Sequence, residues 1–406
     1  MSVERVPFGD IAGFRNGLNY SRENMGTGLK VINVGNFGDR TSPDYDSLGE
    51  IDPSGVAGDD DLLQEGDVLF VRSNGNRDLV GRVMFITALS QPVGYSGFCI
   101  RARMNREAVN QKYYYYFFRS METRRQLVTG GVGANIVNVS QKTLTRFKVP
   151  KPVRAIQDKC VEVLSAYDDL IAANRRRIQL LEESARLLYR EWFVKLRFPG
   201  HETVPVRNGV PEEWSKQPLG DLADVVMGQS PESKYFSEGG EGLPFHQGVT
   251  NFGDRYVAHS TYSTHATRIA QPGDILCSVR APVGRLNITL DKIVIGRGLS
   301  AIRSKLGTQS LLFYQLKNLF FQEDLIGGGA IFASVGKKEL FGQEILQPSG
   351  EIVCDFEKFA SGVDQQIEAL TLQNRRLREA RNLLLPKLMS GALDVSRVTL
   401  PQEVAA

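Results

Sequence analysis

A regular spacing of apolar side chains predicts one long helix near the middle of the chain. The stretch 155–196 contains neither glycine nor proline, and its seam advances by alternating steps of three and four residues, the heptad spacing of a coiled coil. At about 1.5 Å per residue, such a helix forms a rod of roughly 60 Å. The seam consists of Leu164, Tyr167, Ile171, Asn174, Ile178, Leu181, Ala185, Leu188 and Trp192.

The same spacing returns near the end of the chain and predicts a second helix from Glu351 to about Ser390. Its heptad is kept at every seam position except Arg381. Pro386 lies inside the last turns, where proline should kink or loosen the helix because it has no backbone N–H. The seam consists of Ala360, Val363, Ile367, Leu370, Asn374, Leu377, Arg381, Leu384 and Leu388.

Runs of β-branched and aromatic residues, separated by Gly, Asn and Asp turns, predict a strand-rich globular block before each helix. The pentapeptide Asn-Phe-Gly-Asp-Arg occurs at 36–40 and again at 251–255, which indicates that the blocks are copies of one another. We therefore predict an α+β protein with an internal pseudo-two-fold duplication: two homologous mixed α/β domains, each followed by a long helix. The predicted boundaries are 1–153 and 198–350 for the domains, 154–197 and 351–395 for the helices, and 396–406 for a flexible tail.

Two seams of equal length favour pairing of the helices with each other as an antiparallel coiled coil. The two-fold relation of the duplication then places Asn174 opposite Asn374, and a buried asparagine pair fixes register and orientation at a cost in stability. The same register places Tyr167 opposite Arg381 as an aromatic–guanidinium contact. The alternative is two separate amphipathic helices, each docked on its own domain.

The same register brings a group of arginines to one level of the helix pair. This basic belt is either a solvated helix face or a contact for DNA or an acidic partner, and the sequence favours neither. Its members are Arg175, Arg176, Arg177, Arg375 and Arg376.

Composition narrows the class of protein. With 406 residues, 42% of them hydrophobic, the chain is long enough for two ordinary domains with genuine cores. It contains no apolar run of membrane-spanning length and no apolar signal region, so we expect a cytoplasmic protein without a membrane span. Cys99, Cys160, Cys277 and Cys354 form no CxxC pair, which favours reduced, mostly buried thiols. The formal net charge of +3 is compatible with nucleic-acid binding but does not argue for it.

The sequence lacks the motifs of common catalytic sites, so we expect a chain without enzymatic activity and without a metal centre. It has no G-x-x-x-x-G-K-[ST] phosphate loop, no HExxH motif and no Cys/His set with metal-ligand spacing. The glycine-rich segments 130–135 and 327–330 lack the dinucleotide fingerprint. They are either tight turns or places where the backbone approaches a phosphate closely.

Polar loop residues beside the repeated strands are the candidate DNA contacts. Arginine and asparagine read guanine and adenine bidentately in the major groove, while serine and backbone amides hold phosphates. For each residue the alternative is a side chain that merely solvates a strand edge. The loops differ most between the copies, so two modules with one scaffold would read two different short sequences. The candidates are Asn36, Arg40, Arg72, Ser73, Asn74, Asn76, Arg77 and Arg82 in the first block, and His246, Gln247, Asn251, Arg255, His265, Ser278, Arg280 and Arg285 in the second.

Four segments of the chain are diagnostic: 211–214 (Pro-Glu-Glu-Trp), 219–221 (Leu-Gly-Asp), 272–284 and 381–391. With these segments and with its domain–helix–domain–helix order, the chain resembles, over its whole length, the specificity subunits of type I restriction-modification systems. In the first block, the loop 72–81 is longer than the Arg-Ala-Pro-Val-Gly form at 280–284, a departure from the family pattern.

The resemblance implies a non-catalytic DNA sequence-specificity subunit with two target-recognition domains. Each domain would read one half of a bipartite, asymmetric site in double-stranded DNA. The helices would act as a spacer that sets the separation of the half-sites and docks two modification (methyltransferase) subunits, and restriction (endonuclease and translocase) subunits would join that core. S-adenosylmethionine, ATP and Mg²⁺ are then expected in the partner subunits, with no cofactor in this chain. The alternatives are a stand-alone sequence-specific DNA-binding regulator and a coiled-coil adaptor.

Overall fold

Two compact units make up the chain. The computed structural model describes residues 4–38, 40–129, 138–322, 334–348 and 350–395. The first unit comprises the residues up to Arg176 together with those from Thr371 onward, and the second unit comprises Arg177–Leu370. The predicted tail at 396–406 and the glycine-rich segments at 130–135 and 327–330 lie outside the described residues.

In the described part of the first unit, the strands form two sheets and a separate antiparallel pair that joins the start of the block to its end. The strands are β1 (Arg5–Pro7), β2 (Ala12–Asn16), β3 (Met25–Ile32), β4 (Gly49–Ile51), β5 (Val68–Val71), β6 (Val83–Phe85), β7 (Val93–Tyr95), β8 (Cys99–Met104) and β9 (Lys148–Pro150). One sheet has the order β2-β8-β5-β6 and is antiparallel, the other has the order β4-β3-β7, and β1 pairs with β9. Within the second of these sheets, β3 and β7 are parallel.

The core of the first unit is dominated by one aromatic helix. The helices of the block are α1 (Gln111–Arg119), α2 (Met121–Thr129) and α3 (Gln141–Arg146). Asn110 caps α1, since its side-chain oxygen accepts the Lys112 N–H at 3.0 Å. The run Tyr113–Phe118 is buried on all faces of α1 and packs against the sheet, with the Phe118 ring centroid 4.9 Å from that of Phe70. A short helix that is apolar all round is stable only inside a core.

The second unit repeats this plan with different loops. Its strands are β10 (Val206–Arg207), β11 (Val210–Pro211), β12 (Ser215–Pro218), β13 (Ala223–Met227), β14 (Phe236–Ser237), β15 (Leu243–His246), β16 (Tyr262–Ser263), β17 (Ile269–Ala270), β18 (Ile275–Ser278), β19 (Leu286–Ile288), β20 (Ile293–Ile295), β21 (Leu299–Ser304) and β22 (Glu344–Gln347). Its shorter helices are α5 (Leu219–Leu222), α6 (Gln309–Gln322) and α7 (Lys337–Phe341).

The sheets of the two units have equivalent strand orders. The order β13-β21-β18-β19 reproduces β2-β8-β5-β6, the parallel pair β15 and β20 reproduces β3 and β7, and β12 pairs with β22 as β1 does with β9. The second unit adds strands to the other sheet, which has the order β14-β16-β15-β20-β17. The predicted α+β duplication is therefore confirmed at the level of topology.

Two long helices follow the blocks, and the divisions between the units fall inside them. The first, α4, runs from Arg154 to Tyr189, and the chain continues over Arg190–Val194 as a π-helical turn, so the regular helix ends earlier than predicted. In this turn Phe193 packs at 5.1 Å on Phe356 and at 5.7 Å on Trp214. The second, α8, spans Glu351–Met389 and continues through Pro386, with Leu385, Leu388 and Met389 buried.

Segments of α4 and α8 pair antiparallel within each unit. In the first unit, Asp168 meets Arg381 and Asn174 meets Asn374, so residue numbers rise along one helix as they fall along the other. In the second unit, Ala185 and Tyr189 of α4 share a core with Phe356 and Ala360 of α8. The antiparallel pairing of the fold prediction is thus confirmed, and the alternative of two separately docked helices is wrong.

Candidate nucleic-acid interface

The two asparagines predicted to lie opposite each other are in contact inside the first unit. Asn174 is 2% exposed and Asn374 3%. The Asn174 side-chain amide donates to the Asn374 side-chain oxygen at 3.0 Å and to that of Gln373 at 2.9 Å. This polar contact interrupts an otherwise apolar seam, so any shift of the helices relative to each other would bury unpaired amides.

A carboxylate on each long helix ties the helix to the block of its unit. Asp168 and Asp364 are 196 residues apart, the same spacing that relates the two seams, and are therefore equivalent positions of the repeat. In the first unit, Asp168 pairs with Arg381 and, at 3.2 Å, with Arg119, and it accepts the Tyr116 hydroxyl at 2.8 Å. Burial alone would raise the pKa of Asp168, but the charges of Arg119 and Arg381 hold it below its ordinary value.

Arg381 therefore has a different partner from the one predicted. The aromatic contact with Tyr167 is wrong, because the guanidinium of Arg381 is bound by the carboxylate of the neighbouring Asp168. Arg381 is 5% exposed. The one charged residue of the second seam is thus a buried ion-pair partner for a carboxylate on the first helix.

The equivalent carboxylate of the second unit takes its cation from the block instead. Arg255 pairs with Asp364 and, at 3.4 Å, with Glu182, and its guanidinium lies 4.5 Å from the Phe313 ring centroid. Burial raises the pKa of Asp364, and the charge of Arg255 only partly opposes that effect. The side chain of Arg255 is 3% exposed. The structure therefore places this predicted DNA contact in a buried ion-pair network that holds the block to both helices, and Arg255 is not among the accessible candidates.

Arg40, the counterpart of Arg255 in the repeated pentapeptide, lies on the surface. Its side chain is 51% exposed, and its guanidinium donates to Asp44 at 3.3 Å. The difference follows from Asp168, which is already paired with Arg381 and Arg119 and so takes no third arginine. The arginine of the repeated pentapeptide is thus a buried ion-pair residue in the second unit (Arg255) and an accessible cation in the first (Arg40).

The loop after β5 carries most of the candidates of the first unit. Arg72, Ser73 and Asn74 are half-buried, whereas Asn76 and Arg77 are exposed. The side-chain oxygens of Asn74 and Asn76 accept backbone N–H groups of the same loop at 2.8 and 2.9 Å, which gives the loop a defined shape.

Two other candidates of the first unit also make local bonds. The Asn36 side chain accepts the Asn33 N–H at 2.7 Å. Arg82, half-buried after the loop, donates to the Asp78 carbonyl at 3.1 Å. Bidentate base reading by Asn36 would require it to give up this backbone contact.

In the second unit, three candidates line one polar groove of about 520 Å³: His246, Gln247 and Asn251. Gln247 is exposed and accepts the Ser230 hydroxyl at 2.6 Å, and the Asn251 amide donates to the Ser260 hydroxyl at 2.6 Å. The groove therefore presents amides beside hydroxyls, a combination suited to base edges in a DNA groove.

His246 forms the inner end of a polar chain behind this groove. It is 2% exposed, its Nε2 lies 2.9 Å from His259 Nδ1, and His259 Nε2 lies 2.9 Å from an Asp291 carboxylate oxygen. Burial, and after it the neighbouring His259, lowers the pKa of His246 to about 4, so the ring is neutral at pH 7. The remaining candidate histidine, His265, is exposed and stacks on Tyr235 with ring centroids 4.9 Å apart.

The turn after β18 separates a structural residue from two exposed ones. Ser278 is 1% exposed; its hydroxyl donates to the Pro282 carbonyl at 2.6 Å and accepts the Arg285 N–H at 2.9 Å. Both bonds close the turn, so this predicted DNA contact is not among the accessible candidates. Arg280 and Arg285 are exposed and remain accessible to a ligand.

The structure adds three arginines that sequence reasoning missed. Arg119, Arg124 and Arg125 of α1 and α2 line a groove of about 800 Å³ in the first unit together with Arg40, Arg82 and Arg381. All three lie on α1 and α2, and nothing in the sequence of these helices indicates that they line a groove with Arg82. Among the described residues, no group of His, Cys, Asp and Glu side chains could hold a metal ion.

The chain contains two copies of one scaffold, and each copy packs on antiparallel helix segments. The copies differ in the side chains of their loops, which is the arrangement of a bipartite recognition protein. Residues 3–183 match the family described as "Type I restriction modification DNA specificity domain". The chain is 27% identical over 398 residues to the putative type I restriction enzyme MjaX specificity subunit of Methanocaldococcus jannaschii. This alignment covers 94% of this chain and 91% of the relative.

Two further comparisons extend over most of the chain. It is 20% identical over 405 residues to the type I restriction enzyme HindI specificity subunit of Haemophilus influenzae, covering 82% of this chain and 87% of the relative. The solved structure of the type I restriction-modification S subunit from M. genitalium is similar in fold, with a TM-score of 0.56 at 14% identity over 95% of this chain and 96% of that chain. Residues 3–183 thus match the type I restriction modification DNA specificity domain, and the chain is similar over most of its length to type I restriction enzyme specificity subunits.

The described helices also bear on the membrane prediction. None of them combines the length and the apolar character that crossing a membrane would require. All four cysteines are free thiols, with Cys99, Cys160 and Cys277 buried and Cys354 exposed.

Proposed function

We propose that this chain is the DNA sequence-specificity subunit of a type I restriction-modification complex and that each unit reads one half of a bipartite, asymmetric site. The observation behind this proposal is the contrast between a repeated scaffold and different loops. The strand orders of the two units agree, while His246 and Gln247 of the groove in the second unit have no counterpart among the candidates of the first unit; of the three, Asn251 alone has one, which is Asn36 of the repeated pentapeptide. Equal scaffolds with unequal base-contacting side chains suit a target whose halves differ in sequence.

The base contacts would come from the exposed and half-buried candidates. In the first unit these are Arg72, Ser73, Asn74, Asn76 and Arg77, and in the second unit Gln247, Asn251, His265, Arg280 and Arg285. Arg40 and Arg82 would contact the DNA outside the base edges. Asn36 would help to shape its loop, and His246 would support the groove from behind. Phosphate contacts would orient each unit, and the side chains at the groove floor would select bases.

The helices would set the distance between the half-sites. Their register would depend on Asn174 and Asn374, because the only hydrogen-bond partners described for the Asn174 amide are the side chains of Asn374 and Gln373. A polar pair of this kind selects one register among several that an apolar seam would tolerate. The spacing read on DNA would follow from that choice.

The outer faces of the helices would dock two modification subunits, with restriction subunits joining that core. Leu180 and Leu187 of α4 are 53% and 43% exposed, and Leu383 of α8 is 67% exposed, more apolar surface than a solvated helix needs. Arg176, Arg177, Arg375 and Arg376 of the predicted belt are also exposed and would serve an acidic partner or DNA. S-adenosylmethionine, ATP and Mg²⁺ would be bound by those subunits, and this chain would contribute no catalytic group.

The test is a map of methylated adenines in cells that contain this chain and its modification partner. We expect one bipartite motif whose two halves differ. Replacement Arg280→Ala should relax or weaken recognition of one half only, since a bidentate arginine–guanine pair contributes about 1–3 kcal/mol of discrimination. Exposed Arg207, in a surface ion pair with Glu212, provides the matched control. No motif, or a motif unchanged in both halves by Arg280→Ala, would contradict the respective assignment.

A further inference from the structure

The groove of the first unit has an unusual charge. It has a volume of about 800 Å³, and six guanidinium groups line it against a single carboxylate, Glu122. Arg119 and Arg381 share the single carboxylate of Asp168, which offsets one of their two charges, and Arg40 has an exposed partner in Asp44. The lining as a whole remains cationic, which is a field that attracts a polyanion. The arginines are Arg40, Arg82, Arg119, Arg124, Arg125 and Arg381.

Two of these arginines converge on a neutral acceptor. Arg82 donates through Nε to the Asp78 carbonyl at 3.1 Å, and Arg124 donates through Nη2 to the same carbonyl oxygen. Burial, and after it the charge of Arg82, lowers the pKa of Arg124. Like charges held this close repel each other, and an anion placed between them would relieve that repulsion.

The second unit has a counterpart groove with balanced charge. It is lined by Glu182 and Asp254 against Arg285 and Lys317, and its volume is about 370 Å³. Arg285 follows the repeated glycine as Arg82 does, and Lys317 stands where the first unit has Arg119. The two units thus share the position of the groove but differ in its charge.

The cause of the difference lies in the helix carboxylates. In the second unit, Arg255 forms ion pairs with Asp364 and Glu182 and is buried. In the first unit, Arg381 supplies that charge from α8, so that Arg40 stays at the surface and joins the groove. Because Arg381 pairs with the helix carboxylate of the first unit, Arg40 is accessible there, whereas its counterpart Arg255 is a buried structural residue.

We propose that the arginine-lined groove of the first unit binds the sugar–phosphate backbone of DNA and gives this unit a sequence-independent grip that the second unit lacks. The proposal rests on the proposed function. Arg82 lies at the end of the loop that contains the base-reading candidates Asn76 and Arg77, and phosphates flank the bases that a loop reads. Arginine pairs with phosphate in bidentate geometry, which suits a lining of guanidinium groups.

The experiment measures DNA affinity against salt for the full chain, purified with the subunits that accompany it. The variant is Arg40→Ala/Arg82→Ala/Arg125→Ala, and thermal unfolding checks that it is folded. The matched control is Lys142→Ala/Arg146→Ala/Lys148→Ala, which removes the same number of exposed charges from the first unit outside the groove. Single variants Arg82→Gln and Arg125→Gln serve if the triple variant does not fold.

We expect the slope of log affinity against log salt to fall by about two to three units in the triple variant and by about one in each single variant, at about 0.9 per phosphate contact. The loss should be equal on cognate and unrelated duplexes, and the control should keep the wild-type slope. An unchanged slope in the triple variant overturns the proposal. So does a loss confined to the cognate duplex, which would assign the groove to base reading.

Two further outcomes distinguish DNA-backbone binding by the groove from binding of an acidic protein segment and from failure of the proposed function. If the variant loses an accompanying subunit while its salt slope stays at the wild-type value, the groove binds an acidic protein segment and the proposal is overturned. If the wild-type complex prefers no duplex over any other, the proposed function fails. The slope on unrelated DNA would still support or overturn the backbone contact in that case.

Discussion

Arg255 and Arg40 occupy the same position of the repeated pentapeptide, and we expect their replacement by alanine to affect different properties: stability for Arg255 and DNA binding for Arg40. Arg255→Ala leaves the largely buried Asp364 without its cation and removes the contact with Phe313 at 4.5 Å. Breaking a buried ion pair at one partner lowers the free energy of unfolding by about 3–5 kcal/mol. Arg40→Ala removes one exposed ion pair with Asp44, which contributes about 0–1 kcal/mol. Its effect should instead appear as weaker DNA binding.

Hydrogen exchange followed peptide by peptide distinguishes the two variants. Arg255→Ala should reduce protection of the segments around Asp364 and Phe313 by roughly 10²- to 10³-fold, while the protection of the first unit stays near wild type. Arg255→Lys keeps the charge but loses the planar guanidinium with its two parallel donors. Its hydrogen-exchange protection should therefore lie between that of the wild type and that of Arg255→Ala. If Arg255→Ala proves as stable as Arg40→Ala, the buried ion-pair role assigned to Arg255 is wrong. If Arg40→Ala is the less stable of the two, the assignment of both arginines is reversed.

Three further predictions concern register, acidity and spacing. Asn174→Leu leaves the Asn374 oxygen buried without a donor, whereas Asn374→Leu keeps the bond of Asn174 to Gln373. Denaturant unfolding should therefore show a loss of about 1–3 kcal/mol for the first, less for the second, and recovery in the double variant. Folding lowers the pKa of Asp168, so its stabilisation is full above its ordinary pKa of 3.8 and is lost as the pH falls below it. Folding raises that of Asp364, whose contribution is full below pH 3.8 and is lost as the pH rises. Hydrogen exchange should thus show the first unit opening before the second below about pH 4, and the reverse order would contradict both assignments. Inserting one heptad into each helix keeps the seam in phase and adds about 10 Å. The methylation map should then show a gap longer by about three base pairs, and an unchanged gap would exclude the helices as the ruler.

The helices and the duplication could be predicted because both depend on local patterns. Heptad spacing in the stretch 155–196 is a property of consecutive residues, and it marks the buried side of α4 from Leu164 to Asn174, whereas Ile178 and Leu188 are half-buried. The final turns could not be predicted, since the π-helical turn at Arg190–Val194 is accompanied by the packing of Phe193 on Phe356 and Trp214. Those partners are distant in sequence, and their positions follow from the fold of the second unit.

The candidate site could be predicted only as far as the loops that hold it. Ser278 has the residue type and the loop position of a phosphate contact, but its hydroxyl closes the turn between Pro282 and Arg285. Arg124 and Arg125 lie on a helix whose sequence shows no sign of function, and they reach Arg82 only because α2 packs beside the loop 78–82. Which face of an exposed helix meets which loop is a property of tertiary packing.

The comparison of the two helix carboxylates shows how a duplicated protein becomes asymmetric without changing its scaffold. Asp168 is buried and Asp364 is largely buried, with 23% of its side chain exposed, and each needs a cation because an unpaired carboxylate away from water is unfavourable. The second unit meets this need from its block with Arg255, and Ala185 of α4 fills the seam where α8 has Arg381. The first unit meets it from Arg381, which leaves Arg40 at the surface of the arginine-lined groove. A seam substitution that looks like a defect of the heptad thus determines which half of the protein presents the stronger positive field.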